Sequence, residues 1–487
     1  MTKLALHQGA YEARSPIANS QVCLNLVPEQ NPPDAPFPVT HYPGPGLKLW
    51  GDLSGASPGA TGGVRGLYVT SSNAVVAVIG VAVYTLTVAQ PGQAVLVGNI
   101  GGPSSQPVVS MVDNGTTLVI VDGSPNGWMV PLGALLTPNS LQQINDPAFY
   151  GANRVDFIDT FLVFNQPGTG NFYTTTSNVV TPFDPTYFAA KEGWNDRLVC
   201  CACLHDNIWL LGNQTAEIWF NAGGATFPFA RMPNSILQQG CAAVCSPVVA
   251  DNALYWLSQD RWGHSMIMRG EGYAARRISN FAVENEWNQY PYVNDCVGMS
   301  YQIAGHEIVA WYFPAGAAWW AYDASTQLWH KRTYAGTTQP WLPLTAAFFG
   351  TVVGEIPFSP VVLAGDRSSG RIYEIDRSTY TDNGTAITRQ RSWTHLQQDG
   401  QRIAYQRFAL SMAGNQLSPD TLALDWSDDA GLSYGSPVNQ TVNNQSNGQY
   451  LWRRLGYGRD RVYRATWSGA GEFALNGAYS DGTPQGT

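Results

Sequence analysis

The 487-residue sequence predicts an all-β protein, and three observations carry that prediction. The first is composition. Only 13% of residues are charged, and Lys occurs just four times, at Lys3, Lys48, Lys191 and Lys331, whereas Gly reaches 50 and Pro 31. Long amphipathic helices need Ala, Glu, Lys and Leu in quantity. The excess here of Gly, Pro, Asn, Thr, Val and aromatic residues suits short strands and tight turns. The 17 Trp, 23 Tyr and 18 Phe supply enough apolar mass for several large cores and exclude intrinsic disorder. The second observation is a short apolar block that recurs along the chain. The third is a change of texture at both ends, Pro-rich before the repeat and rich in Asn, Gly and Ser loops after it. At this length two or three domains are expected.

Taken in order, the first element is an extended strap, assigned to residues 1–60. Within Gln21–Leu53 the runs NPPDAPFP and HYPGPG exclude regular helix, because proline lacks the amide donor and restricts the residue before it. The repeat follows. Its blocks are AVVAVIG from Ala74, TLVIVDG from Thr117, TFLVFNQ from Thr160, NIWLLGN from Asn207, ALYWLSQ from Ala253, EIVAWYF from Glu307 and PVVLAGD from Pro360. Successive starts differ by 43, 43, 47, 46, 54 and 53 residues, which fits one four-stranded sheet per step. A turn and a second strand follow each block, as in GWMVPL, GNFYTTT, AEIWFNAG and GRIYEID. Residues 61–380 therefore read as a β-propeller of six or seven blades. A β-sandwich series or a solenoid is the alternative, although solenoid repeats are shorter. The block at Pro360 leaves the blade count open, since it either founds a blade or closes the first one. Ser279–Tyr290 is the one stretch that suits a short helix, with Ser279 or Asn280 as N-cap. Residues 381–487 form a separate β-sandwich-like domain, with strand candidates at Ala404–Met412, LALDWS, YLWRRLG and VYRATWS.

Charge is distributed unevenly. Residues 361–487 hold 12 Arg, no Lys and 12 acidic residues, so the first 360 carry 14 basic and 23 acidic residues and the whole net charge of −9. That balance argues against a protein that grips nucleic-acid phosphates. It does not argue against a surface past which DNA slides without sticking. Met1–Ala10 lacks the basic head and apolar run of a signal peptide. The longest apolar run, Ala74–Ala89, is broken by Gly80, Tyr84 and Thr85 and is too short to span a membrane. Seven clustered cysteines give no disulfide framework, so a soluble chain made in a reducing cytoplasm is expected.

Four groups of residues bear on chemistry. Cys200, Cys201, Cys203 and His205 lie within six residues, with Cys241, Cys245 and Cys296 beyond, but no Cys-x-x-Cys knuckle is present. On a strand, Cys201, Cys203 and His205 would share one face, and buried apolar cysteines are the expected role. The segment Ser427–Tyr434 matches an Asp-box. Ser427, Asp429, Gly431 and Tyr434 are read as a structural turn in which Asp429 accepts backbone N–H groups, Gly431 supplies a permissive dihedral and Tyr434 packs beneath. Glu284 and Glu286 are two apart, a spacing common to any acidic chain. Arg453, Arg454, Arg459, Arg461 and Arg464 form the densest basic patch. Arg without Lys suits a protein–protein interface, with solvated strand faces as the alternative. No nucleophile elbow, phosphate loop or zinc-protease helix occurs. The expectation is a non-enzymatic protein with no catalytic, cofactor or metal site.

Three stretches, taken together, resemble the packaged-DNA stabilisation, or tail hub (nozzle), family of short-tailed bacteriophages, the podoviruses. The first is QVCLNLVPEQ through YPGPGLKLW, with Asn25, Leu26, Glu29, Pro45, Gly46 and Leu47 matching the family opening. The second is the central run containing Gly240–Cys241, Trp256–Leu257, Gly263, Arg277–Ile278–Ser279 and Val283–Glu284. The third is LDWSDDAGLSYG with YLWRRLGYGRDRVYRATWSG. The resemblance implies a virion structural protein of the tail, assembled in the host bacterial cytoplasm. Six copies would form a ring below the portal and its head-to-tail adaptor, near tail fibre, spike or needle proteins. Viral double-stranded DNA would be retained by the ring and later pass through its lumen without specific binding. The alternative is a propeller that binds or degrades glycans on the host surface.

Overall fold

The computed structural model describes residues 2–4, 9–87, 90–101, 108–224, 226–333, 342–350, 359–414, 420–442 and 448–485. The last two residues of the apolar run Ala74–Ala89 lie outside them. Seven four-stranded antiparallel units dominate the chain. Blades 1–6 occupy residues 64–99, 110–143, 155–190, 198–231, 248–277 and 297–332 in unbroken strand order. Blade 7 is composite. Leu342–Gly350, Ser359–Gly365 and Arg371–Asp376 are joined by Gly46–Asp52 from the N-terminal strap as the outer strand. The first strand of blade 7 then packs against the first strand of blade 1 and closes the ring. The block at Pro360 thus founds its own blade, and the strap supplies the closing strand.

Every recurrent apolar block is the second strand of its blade. Such a strand is covered on both faces by neighbouring blades, so alternation disappears and the run reads as continuously apolar. Val75–Ile79 is buried throughout. Val75, Ala77 and Ile79 enter the core shared with blade 7, while Val76 and Val78 enter the core shared with blade 2. Seven hydrophobic clusters among the described residues fill the seven gaps between blades. First strands contact one another around the axis, and fourth strands lie at the rim, where short polar stretches such as Gln142–Gln143 and Ala274–Arg277 are weak sequence signals.

The C-terminal part is a two-sheet sandwich. One sheet contains Gly448–Arg453, Ile403–Gly414 and Phe473–Pro484 and is extended by the strap hairpin Leu26–Gln30/Val39–Pro43. The other contains Thr388–Ser392, Asp460–Ser468, Asp420–Ser427 and Val438–Val442. Cys23–Leu24 lies between that sheet and the outer strand of blade 6, Leu328–Arg332, and pairs with both. The buried Arg391 guanidinium donates to the carbonyls of Gly9 and Val22 and to Gln21 Oε1, fixing the strap further. The core between the sheets, with Trp393, Phe408, Leu424 and Tyr463, runs without a break into that of blades 5 and 6 through Trp287, Trp311 and Trp329. The helix is Phe281–Trp287. Asn280 is its N-cap, accepting from the amides of Ala282 and Val283, and Trp287 stacks on Phe313 at 5.3 Å.

Candidate interaction site

The arginine patch divides by strand alternation. Asp460–Ser468 is buried at Arg461, Val462 and Tyr463 and alternates beyond, so Arg461 shares the inward face with Tyr463, Ala465 and Trp467. Arg461 is 1% exposed. It makes a two-pronged contact with Asp428 at 2.6 and 2.7 Å, donates to the Leu455 carbonyl and lies 4.2 Å above the Tyr405 ring. Arg464 is half-buried, grips Asp425 at 3.0 and 2.6 Å and stacks 3.6 Å above the Tyr434 ring. Both are committed within the domain. Arg453, Arg454 and Arg459 are exposed at its edge. Arg453 stands opposite Arg407 across the strand pair, and Arg459 donates to the Gly400 carbonyl at 2.7 Å. Tyr457, 55% exposed, lies under the Arg402 guanidinium at 4.7 Å and completes a tyrosine–arginine edge that the linear arginine run did not include.

The Asp-box segment is a tight turn. Ser427 Oγ donates to Asp429 Oδ1 and accepts from the Gly431 amide at 2.8 Å. The Ser433 amide donates to Asp429 at 2.8 Å. These bonds, from Ser427 first and Ser433 next, hold the Asp429 carboxyl down at about 2. Gly431 has φ of 90°, a left-handed conformation that favours glycine. Tyr434 is held beneath Arg464, so the turn is anchored to the arginine strand.

The cysteines separate into inter-blade cores. Cys201 and Cys203 face the core shared by blades 3 and 4, whereas Cys200 and Cys241 meet in the core of blades 4 and 5. Burial pushes the Cys201 thiol up to about 12. His205 does not continue their face: the strand ends at Leu204, and His205 sits exposed in the following turn with φ of 51°. Among the described residues no three His, Cys, Asp or Glu side chains converge as a metal site. Glu284 is fully buried against Arg277, Ser279 and His264, while Glu286 pairs with Lys331 at 2.6 Å.

Two features were invisible in the sequence because they assemble from distant segments. At the propeller end bearing the first turn of each blade, Asp159, Asp206 and Asp251 stand exposed in three successive blades, and Arg269 pairs with Asp251 at 2.9 Å and Glu271 at 3.5 Å, leaving this group net negative. The other feature is a groove of about 550 Å³ between the strap hairpin, the blade 6 turn and the link from blade 7 to the sandwich. Val27, Tyr42, Pro43, Ile303 and Tyr380 form its walls. Glu29, Glu472 and Arg377 also face it, and His306 bridges Asp323 at 2.6 Å and Glu29 at 3.6 Å.

No curated protein matches the sequence. Among solved structures, the chain is similar to one from the mitotic checkpoint complex at 10% identity, with a TM-score of 0.42, over 64% of this chain and 89% of that one. It is similar to the extracellular domain of the putative one component system BT4673 from B. thetaiotaomicron at 10% identity and a TM-score of 0.40, over 88% and 60%. An exo-beta-1,3-galactanase from Phanerochaete chrysosporium aligns at 12% identity and a TM-score of 0.27, over 77% and 95%. Family models are decisive where these are not. The model described as bacteriophage P22 Gp10, beta-propeller, matches residues 3–380, and that described as bacteriophage P22 Gp10, beta-sandwich, matches residues 388–482. The chain therefore belongs to the bacteriophage P22 Gp10 family, the tail hub (nozzle) proteins of short-tailed phages, and is a structural component of the virion tail.

Proposed function

We propose that six copies of the chain, assembled in the host cytoplasm, form a ring beneath the head-to-tail adaptor that retains packaged DNA and conducts it during ejection. Tail fibre, spike or needle proteins attach nearby, and Arg453, Arg454 and Arg459 serve as an interface between proteins. The observation that carries the reading is the match of both domains, propeller and sandwich, to a tail hub family. Further support comes from a single continuous core joining the sandwich to blades 5 and 6, a rigid body suited to bearing the load of compressed DNA. The exposed arc of Asp159, Asp206 and Asp251 is suited to a lumen wall. Fixed negative charge repels phosphates, so DNA passes without being trapped.

Replacing all three acids (Asp159→Lys, Asp206→Lys, Asp251→Lys) in reconstituted virions tests the lumen. Slower or blocked ejection is expected, and unchanged ejection rates remove the electrostatic argument. Particles assembled without the chain are expected to lose their DNA. Stable, DNA-filled particles lacking it would overturn the hub role itself.

A further inference from the structure

The tyrosine–arginine edge and the strap groove lie at opposite ends of the same pair of strands. Ile403 pairs with Pro484 and Gly458 at one end of the sandwich, beside Arg402, Tyr457 and Arg459. Gly414 pairs with Phe473 at the other, beside Glu472 on the groove. Ile403–Gly414 is twelve residues long, so at about 3.3 Å per residue the two features are about 36 Å apart and cannot meet within one chain.

Their chemistries match. The edge presents an exposed aromatic ring beneath the Arg402 guanidinium, with Arg459 and the single acid Asp399 lining the same hollow. The exposed Arg453 and Arg454 are next along the chain, and none of these four arginines makes an ion pair among the described residues. Buried Tyr and Arg anchors are the side chains that dominate protein interfaces. The groove offers an apolar slot walled by Tyr42, Pro43, Ile303 and Tyr380, with the carboxylates of Glu29 and Glu472 at its margin. A second cavity shares Ile303, Ala304, His306 and Arg377 with it and adds Glu307, Glu374 and Asp376. Against these five acids stand Arg377, His306 and Lys48, the last opposite Glu374 across the strand pair and close to Asp376, so the acids keep a majority. Burial first, then the nearby Glu29 and Glu472 carboxylates, raises the Tyr42 phenol above its ordinary range.

We propose that the Tyr457 edge of one copy seats in the strap groove of a second copy. The contact joins two different surfaces, so it is head-to-tail and propagates around a closed ring. It rests on the ring proposed above and names the two faces that build it. The strap thereby gains a further role, because its hairpin Leu26–Gln30/Val39–Pro43 holds one wall of the receiving site in place.

A charge-swap experiment tests the pairing. The edge variant carries Arg453→Glu and Arg454→Glu, and the groove variant carries Glu29→Lys and Glu472→Lys. Glu472→Lys alone serves as a second groove variant that leaves the Glu29–His306 contact intact. Thermal melts verify that each is folded. Native mass and incorporation into virions are then read for each variant alone and for an equimolar mixture. Each variant alone should associate at least about tenfold more weakly than the natural chain, as expected for lost interfacial charge pairs. The mixture should recover assembly, because an even-numbered ring with alternating variants restores every contact. Normal assembly of either double variant alone, or no recovery in the mixture, overturns the pairing. A natural chain that stays monomeric and never enters virions overturns the ring as well, whereas rings indifferent to the swaps overturn only the pairing.

Discussion

Arg461 illustrates how one side chain departs from the role its neighbours suggest. Five arginines within twelve residues read as one basic surface, yet the alternation of Asp460–Ser468 puts Arg461 in the interior. A buried guanidinium persists because Asp428 neutralises it and the Leu455 carbonyl takes another N–H. The rings of Tyr405, Trp426 and Tyr463 pack around its plane. Arg461→Ala removes the ion pair and leaves a hole among those rings. A loss of about 3 kcal/mol is expected, at the lower end for a broken buried pair because Asp428 reaches solvent. Urea denaturation checks this, and a change below about 0.5 kcal/mol, the range of ordinary surface substitutions, would mean that the pair contributes little. Arg459 is two residues away and would share that face by alternation alone, but it lies in the link before the strand. The difference lies also in Asp428 and Tyr405, which arrive on other segments.

The strap is the element whose role changes most between sequence and structure. Its prolines exclude helix and predict an extended run, and the extended segments are observed. Where they pair could not be read, because Gly46–Asp52 meets Arg371–Asp376 across more than three hundred residues. Two further joins, at Cys23–Leu24 and at His41 with Leu475, tie the same strap to the sandwich. Removing residues 1–54 strips blade 7 of its outer strand and exposes Arg371–Asp376 as an unpaired edge, a template for aggregation. The expected outcome is insoluble or multimeric protein without a single cooperative melt, partly restored by a peptide of residues 9–54 supplied in trans. A truncated chain that melts as sharply as the full one would show that closure does not depend on this strand. The repeat itself was legible because second strands are apolar on both faces. Fourth strands such as Gln142–Gln143 and Ala274–Arg277 were not, being short and at the rim.

At the scale of the molecule, seven inter-blade cores make stability a collective property, and two histidines at the strap junction link it to pH. His330 is fully buried, and burial followed by the Arg332 charge pushes its imidazole down to about 3. A group with a depressed folded value favours the folded state above its unfolded value of 6.5, and that contribution fades as pH falls from there towards 3. His306 is opposite in sign. Its hydrogen bond with Asp323 raises it above 6.5, so its contribution is complete below 6.5 and is lost as pH rises through the raised value. Melting temperature should therefore peak near pH 6.5 and decline on both sides. His330→Leu should flatten the decline on the acid side of that peak, and His306→Gln the decline on the alkaline side. Limbs of unchanged slope in these variants would assign the pH response to other groups.

The sequence by itself determined the fold class, the repeating unit and the family, because composition, the apolar blocks and the motif stretches are local properties that survive without partners. It also placed the short helix and narrowed its cap to Ser279 or Asn280, since capping acts within one turn, and the structure selects Asn280. Tertiary structure alone decided the seventh blade's closing strand, the burial of Arg461, which inter-blade cores receive Cys200 and Cys201, and the placement of the groove at the far end of the sandwich from the tyrosine–arginine edge. Each depends on which distant segments meet, and the free energy that selects those meetings comes from burial shared between strands hundreds of residues apart.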